Sequence, residues 1–306
     1  MAITASHLAC VSLWGPPGQP YWPRFRSSPQ VSRWIPVGPG LGFWGVELLT
    51  QAALVASLAG LGAAGPRWAR LANAAGAYAL GVPLLATFPP AWLLGLLNSP
   101  STPFYADPSG GPTVALTIDD SVDPTSTPAI LDVLANHDVQ ATFFVLSDSI
   151  DGNEALLADI VAAGHEIANH QTADVRGWRM SPAEFSEDIR VSGERLRRFG
   201  EVRWLRPGGG FYDGAMVAAA ETHGGRLVLG SVFPLDSHIA SSRFLANYLL
   251  ARTHPGDIIV LHDGPSRGLR TAEALEQALP KLKQKGLRFV TLTGLLGAPR
   301  SHLSDR

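Results

Sequence analysis

Ionisable side chains recur in this sequence just after short apolar runs. Asp119 and Asp120 follow Thr113–Ile118. His170 follows Glu166–Asn169, with Asp174 in the stretch beyond it, and Arg206 follows Val202–Leu205. Asp236 lies past Arg226–Leu229, and His262 and Asp263 close Asp257–Leu261. If those runs are parallel strands, the residues meet on one rim, and that convergence says more than any one of them alone. Asp120, His170 and Asp174 then form a ligand set of one imidazole and two carboxylates, with positions left for water. Such a set suits a single divalent metal: Zn foremost, with Co, Mn, Ni or Fe compatible. Neighbours on a strand face opposite ways, so one aspartate of the Asp119–Asp120 pair could bind metal while the other takes a proton. The plainer reading of that pair is a helix cap or turn, where Asp is common. A lone His262 would more often be structural; beside the other residues it reads as a general acid.

Two further segments need weighing. Gly164–His170 approaches the zinc-protease pattern His-Glu-x-x-His but has one residue too many. Along a strand its two imidazoles face opposite ways, so His170 is the ligand candidate and His165 a structural histidine. Arg206-Pro207-Gly208-Gly209-Gly210 is a sharp glycine-rich turn. Backbone N–H groups of Gly208, Gly209 and Gly210 could hold substrate or a developing oxyanion, and a tight loop without a ligand explains the glycines equally well. The following Gly-Lys-Ser/Thr of a phosphate-binding loop is missing.

These positions require a scaffold of alternating strand and helix. Strands are predicted at Thr113–Ile118, Ala141–Leu146, Glu166–Asn169, Val202–Leu205, Arg226–Leu229, Asp257–Leu261 and Arg288–Leu292. Helices fall between them at Pro128–His137, Glu154–Ala163, Ser181–Phe199, Gly214–Thr222, Ser242–Thr253 and Thr271–Lys285. Ser181, Pro182 and Glu184 give the third helix an N-cap, a first-turn proline and a capping box, and Gly164 ends the second. The pattern implies an α/β fold with a parallel sheet, open or closed into a barrel, whose chemistry sits where strands end.

The first third of the chain differs in kind. Of 306 residues, 46% are hydrophobic and only 16% charged, with a formal net charge of -2 and a mean hydropathy of +0.11. The near-neutral balance argues against a nucleic-acid partner, which would need a basic face. The deficit of charge lies before Pro112: Leu48–Gly65 and Leu71–Asn98 carry no charged residue. Each run is close to the roughly 20 apolar residues that span a bilayer. Residues 41–98 are therefore read as an apolar helical hairpin and membrane anchor; the alternative is a pair of buried or interfacial helices. Arg67 and Arg70 between the runs favour a cytoplasmic loop and an extracytoplasmic C-terminal domain, while Arg24, Arg26 and Arg33 pull the other way. Residues 1–40 form an irregular tail, 99–111 a linker, and 112–298 the catalytic domain. Cys10 is the single cysteine, so internal disulfides and thiolate clusters are excluded.

Taken together, the motifs resemble those of the polysaccharide deacetylases, the carbohydrate esterases of family four, over Pro112 to Leu296. Thr117-Ile118-Asp119-Asp120 resembles the first motif, Asn169-His170 the start of the second, Arg206-Pro207 the third and Leu261-His262 the last, in the family's order. The resemblance implies a deformed (β/α) barrel of about seven repeats. It also implies one divalent metal and hydrolysis of N-acetyl groups on an amino-sugar polymer, chitin-like or peptidoglycan-like. It assigns Asp119 as base, Asp120 as metal ligand, Arg206 as the group orienting the base, and His262 as acid. The metal would polarise the acetyl carbonyl and lower the pKa of bound water. Departures are clear. Asp174 stands where the family has a second histidine, Ser121 where it has glycine, and Gly208–Gly210 where it has Pro-Tyr-Gly. Phe233–His238 replaces an Asp-x-x-Asp-Trp motif, with Asp236 placed to tune His262. The altered pattern resembles a chitin-deacetylase-like branch. The competing functions are hydrolysis of another amide or ester, and glycan binding without catalysis.

Overall fold

The computed structural model describes residues 91–297 and, apart from these, Gly76 alone. The tail 1–40 with Cys10, most of the apolar hairpin 41–98 with its arginines, and residues beyond 297 lie outside the described residues. The chain divides into two compact units, with the boundary between Leu93 and Leu94. Among the described residues, no helix is long and apolar enough to cross a membrane.

The unit from Leu94 onward is built on seven parallel strands: β1 (Thr113–Ser121), β2 (Thr142–Val145), β3 (Glu166–Asn169), β4 (Trp204–Leu205), β5 (Arg226–Leu227), β6 (Ile258–His262) and β7 (Arg288–Val290). Their order is β5-β4-β3-β2-β1-β6, with β7 paired to the start of β1. Eight helices accompany them among the described residues: α1 (Ala91–Leu97), α2 (Thr127–Asn136), α3 (Glu154–Ala162), α4 (Pro182–Leu196), α5 (Gly214–Thr222), α6 (Ser242–Arg252), α7 (Arg267–Gln284) and α8 (Leu292–Leu296). The chain leaving β5 crosses the gap to β6. Val228 still donates to Leu205 of β4, and Val232 is bridged to Ile259 of β6. The two ends of the sheet are thereby brought toward each other, as the expected deformed (β/α) barrel requires.

Parallel strands covered on both sides need continuous apolar runs rather than alternation. β1 meets that need, with Val114 through Ile118 buried, including Thr117. Inside the barrel Phe144, Ala168, Trp204, Val228 and Ile258 pack together. The buried Trp204 indole keeps its polar edge satisfied by donating to Glu166 Oε1 at 3.1 Å and Thr293 Oγ1 at 3.0 Å. α4 begins as its sequence predicts, with Pro182 in its first turn and Ser181 and Glu184 forming a reciprocal capping box. Gly164 ends α3 with a φ of 82°, a conformation glycine adopts without cost.

Several boundaries depart from expectation by two residues or more, and two of them have a visible cause. β5 stops at Leu227 rather than Leu229, because the carbonyls of Val228 and Leu229 accept from the Arg206 guanidinium. α7 begins at Arg267, a turn earlier than Thr271, because Asp263 anchors its approach.

Candidate active site

The site sits at the C-terminal rim of the strands. Register places Asp119 of β1 directly beside His262 of β6, and Arg206 follows β4 next to Asn169 of β3. Asp119 and Asp120 do not face opposite ways as strand neighbours would. Asp120 has a φ of 61°, and the pairing of β1 with β2 shifts between Ile118 and Ser121. This break in the pleat lets both carboxylates approach one imidazole: His170 Nε2 lies 3.3 Å from Asp120 Oδ1 and 3.9 Å from Asp119 Oδ2. A non-glycine residue in that conformation is strained, and such strain clusters at functional sites.

Asp119 is buried and fixed by Arg206, whose Nη1 donates to Asp119 Oδ1 at 2.6 Å and to Thr117 Oγ1 at 2.8 Å. The same guanidinium donates to Leu229 O at 3.0 Å and stacks over Phe144, 4.1 Å from the ring centroid. Burial lowers the Arg206 pKa against the opposing pull of Asp119. The buried pair is satisfied because every strong donor has a partner; isolated burial of either charge would cost several kcal/mol.

His170 is buried, and its Nδ1 meets the Arg206 carbonyl at 2.7 Å. A carbonyl can only accept, so Nδ1 carries the proton and Nε2 is the atom turned to the carboxylates. Burial would lower the His170 pKa, and the charges of Asp119 and Asp120 outweigh it and raise it. Asp120 shows the reciprocal effect. Burial would raise its pKa, but His170, His262 and Arg267 hold it down to about 2.

His262 Nδ1 lies 2.9 Å from Asp236 Oδ1, and Asp236 Oδ2 accepts from the His262 backbone N–H at 2.6 Å. Burial would lower the imidazole pKa; the hydrogen bond and charge of Asp236, with Asp119 and Asp120, raise it to about 9. Asp236 thus favours the protonated imidazole and leaves Nε2 as the second ring nitrogen.

Asp174 is not brought to this group. It is exposed, on the bends that follow Gln171, itself in a left-handed conformation with φ 73°. Gln171 and Thr172 tie that loop elsewhere: Gln171 Oε1 accepts from Gly208 N at 2.7 Å, and Thr172 hydrogen-bonds Asp188. Among the described residues, no three His, Cys, Asp or Glu side chains are grouped to hold a metal ion. The donor chemistry of Asp120 and His170 nevertheless fits a cation. An imidazole with its tautomer fixed by a backbone carbonyl, facing a carboxylate, is how metal-binding histidines are commonly held.

The glycine turn has a mainly structural explanation. A Cβ on Gly208 would run into the Val175 carbonyl, and Gly209 and Gly210 have φ of 79° and 72°. Gly208 N–H is spent on Gln171, and Gly210 N–H closes the turn on Pro207 O at 3.1 Å. Of the three proposed donors, only that of Gly209 has no partner among the described residues. His165 is structural as read: it is buried, its Nδ1 accepts from Ala141 N–H, and burial lowers its pKa.

Sequence reasoning gave Asp263 no role beyond its place on the rim, and passed over three other contributors. Thr117 and Phe144 hold Arg206. Asp263, buried, ties β6 to the start of α2, with Oδ1 accepting from Ser126 Oγ at 2.5 Å and Oδ2 from Thr127. Arg267 Nη2 reaches Asp120 Oδ2 at 2.9 Å. Thr117 left a signal, a polar residue inside an apolar strand. Arg267 left none beyond its place after the last rim loop.

An immobilised carboxylate beside an imidazole biased toward its protonated form is the equipment of a hydrolase that takes a proton from water and returns one to a leaving group. Comparison with known proteins fits that class. Residues 106–228 match the family model described as polysaccharide deacetylase. The chain is 33% identical over 193 residues to a peptidoglycan-N-acetylglucosamine deacetylase of Bacillus cereus, covering 62% of this chain and 90% of that one. A crystal structure of a peptidoglycan N-acetylglucosamine deacetylase in complex with an N-hydroxybenzamide compound superposes with a TM-score of 0.62 at 30% identity, covering 66% of this chain and 95% of that one. A CE4 family pseudoenzyme from Bacillus anthracis superposes with a TM-score of 0.60 at 27% identity, covering 65% and 70%. The chain belongs to the polysaccharide deacetylase family.

Proposed function

We propose that this chain removes acetyl groups from N-acetylglucosamine units of a glycan, by amide hydrolysis without a covalent intermediate. The observation that carries the reading is the arrangement of two dyads on one rim. Asp119 is fixed by Arg206, His262 is held protonated by Asp236, and the two lie on neighbouring strands in register. Asp119 takes the proton from the attacking water, and Arg206 keeps its carboxylate aimed. His262 gives its proton to the nitrogen as the C–N bond breaks, releasing acetate and a free amine. The Gly209 N–H is the backbone donor available to the carbonyl oxygen as charge develops on it.

Asp120 and His170 would hold a divalent cation, with Zn foremost among the candidates. When bound, it would supply Lewis-acid polarisation and acidify water. Asp174 joins that set only if its loop moves toward the rim. Two of the relatives named above are peptidoglycan N-acetylglucosamine deacetylases, which supports an amino-sugar glycan as substrate. A second reading is a glycan binder without turnover. It is favoured by the exposed position of Asp174 and by the likeness to a pseudoenzyme.

One experiment separates these readings. Purified protein is incubated with peptidoglycan, N-acetylglucosamine oligomers and acetylated xylan, each with chelator or with added zinc or cobalt, and acetate is measured. Release from the amino sugars that chelator abolishes supports the proposal. Release from xylan alone points to ester hydrolysis, and binding without release under every condition points to the non-catalytic reading.

A further inference from the structure

The first residue of α7 meets the site through a contact that neither dyad uses. Arg267 Nη2 donates to Asp120 Oδ2 at 2.9 Å, while Asp120 Oδ1 faces His170 Nε2 at 3.3 Å. Both oxygens of the candidate ligand are therefore engaged, one by an imidazole and one by a permanent cation. The guanidinium lies against the loop leaving β6. Gly264 has φ 104°, and a Cβ there would stand 3.3 Å from Arg267 Nη2.

The position of α7 does not depend on this ion pair. Asp263 N–H donates to Asp119 O at 2.8 Å, and the Asp263 carboxylate is held by Ser126, Thr127 and the Gly264 N–H. Gly268 packs so closely on this cluster that a Cβ would come within 2.5 Å of Asp263 Oδ1. The helix start is thus clamped to α2 independently, and it presents Arg267 at a fixed place. Asp120 is nearly inaccessible, with 7% of its side chain exposed, whereas Arg267 keeps 30%. The cation is the partner that can swing away into solvent.

We infer that Arg267 is a positioning residue that competes with a divalent cation for Asp120 and so sets the metal affinity of this site. The inference rests on the reading that Asp120 and His170 hold such a cation. Two like charges sharing one carboxylate repel strongly in a partly desolvated site. A metal therefore enters only by displacing the guanidinium from Oδ2 or by tolerating its charge. In the metal-free protein the same guanidinium neutralises Asp120 and keeps it ionised and oriented. Because the third ligand candidate, Asp174, stands away from the group, this competition weighs more here than in a site with three ligands in place.

The test uses the full chain and cobalt(II) as probe, with binding followed by visible absorption and calorimetry at fixed pH and salt. Arg267→Gln removes the charge and keeps much of the volume; Arg267→Lys keeps the charge. Circular dichroism and thermal unfolding check that both variants fold, as the independent clamp on α7 predicts. The expected result is that Arg267→Gln binds cobalt at least about tenfold tighter than the parent, while Arg267→Lys stays within about threefold of it. Unchanged or weaker binding by folded Arg267→Gln, with the parent binding normally, overturns the inference and leaves the metal reading intact. If neither the parent nor Arg267→Gln binds cobalt, the metal reading itself fails and this inference falls with it.

Discussion

At the scale of single residues, the pairing of His262 with Asp236 makes the sharpest demand. An acid has to be protonated when the leaving group departs, and Asp236 keeps His262 in that form up to about pH 9. In Asp236→Asn the hydrogen bond weakens and the charge is lost. Burial, which lowers an imidazole pKa, is then opposed only by the charges of Asp119 and Asp120. The alkaline limb of the rate–pH profile is expected to move to lower pH by at least about one unit, and kcat at pH 8 to fall on the order of 100-fold. An unshifted limb with full kcat would mean that Asp236 does not govern the acid. Most of the side chains that meet at the rim were legible in the sequence, because each is an ionisable residue standing at or just past a strand end. The joint approach of Asp119 and Asp120 to His170 was not. It depends on a left-handed backbone at Asp120 that no residue type announces.

At the scale of elements, the loops after β3 and β4 are locked to each other through Gly208. Its N–H goes to Gln171 and its Cα abuts the Val175 carbonyl. Gly208→Ala forces these loops apart, and is expected to destabilise the fold by about 1–3 kcal/mol in denaturant titrations. Retention of parental stability would show that the loops separate freely. Helix caps and apolar runs located nearly every element, since Ser181 and Glu184 or Val114 to Ile118 act locally. The ends of β5 and α7 escaped because their causes are distant in sequence: Arg206 captures the carbonyls after β5, and Ser126 and Thr127 fix the loop before α7. That the Gly208 and Gly210 N–H groups are already taken was hidden for the same reason. Which N–H groups a turn has left to give depends on a glutamine from another loop.

Across the whole molecule, the site is a cluster of opposed charges whose stability depends on pH. The folded pKa of His262 is raised from 6.5 to about 9, so its contribution is complete below pH 6.5 and is lost as the pH climbs through about 9. His170, also raised, acts in the same direction. Asp120 falls from 3.8 to about 2, so its contribution is present above pH 3.8 and lost as the pH drops toward 2. The metal-free protein is therefore expected to be most stable between about pH 4 and 6.5. Its denaturant midpoint should decline toward pH 9, and that decline should be shallower in His262→Gln. An identical decline in the variant would show that this imidazole is not the group responsible. The α/β alternation and the shared rim followed from sequence because parallel strands put every C-terminal end on one side. The way the chain after β5 reaches β6 did not, since it depends on hydrogen bonds of Ser231 and Val232 with Ile258 and Val260 that no local pattern announces.

The central claim is that Asp119, held by Arg206, takes the proton from water opposite His262. Acetate release from N-acetylglucosamine oligomers by Asp119→Asn, measured beside the parent with zinc or cobalt added, tests it most directly. The expected result is a loss of at least about 100-fold in kcat with KM little changed. Release at the parental rate by the folded variant would contradict it.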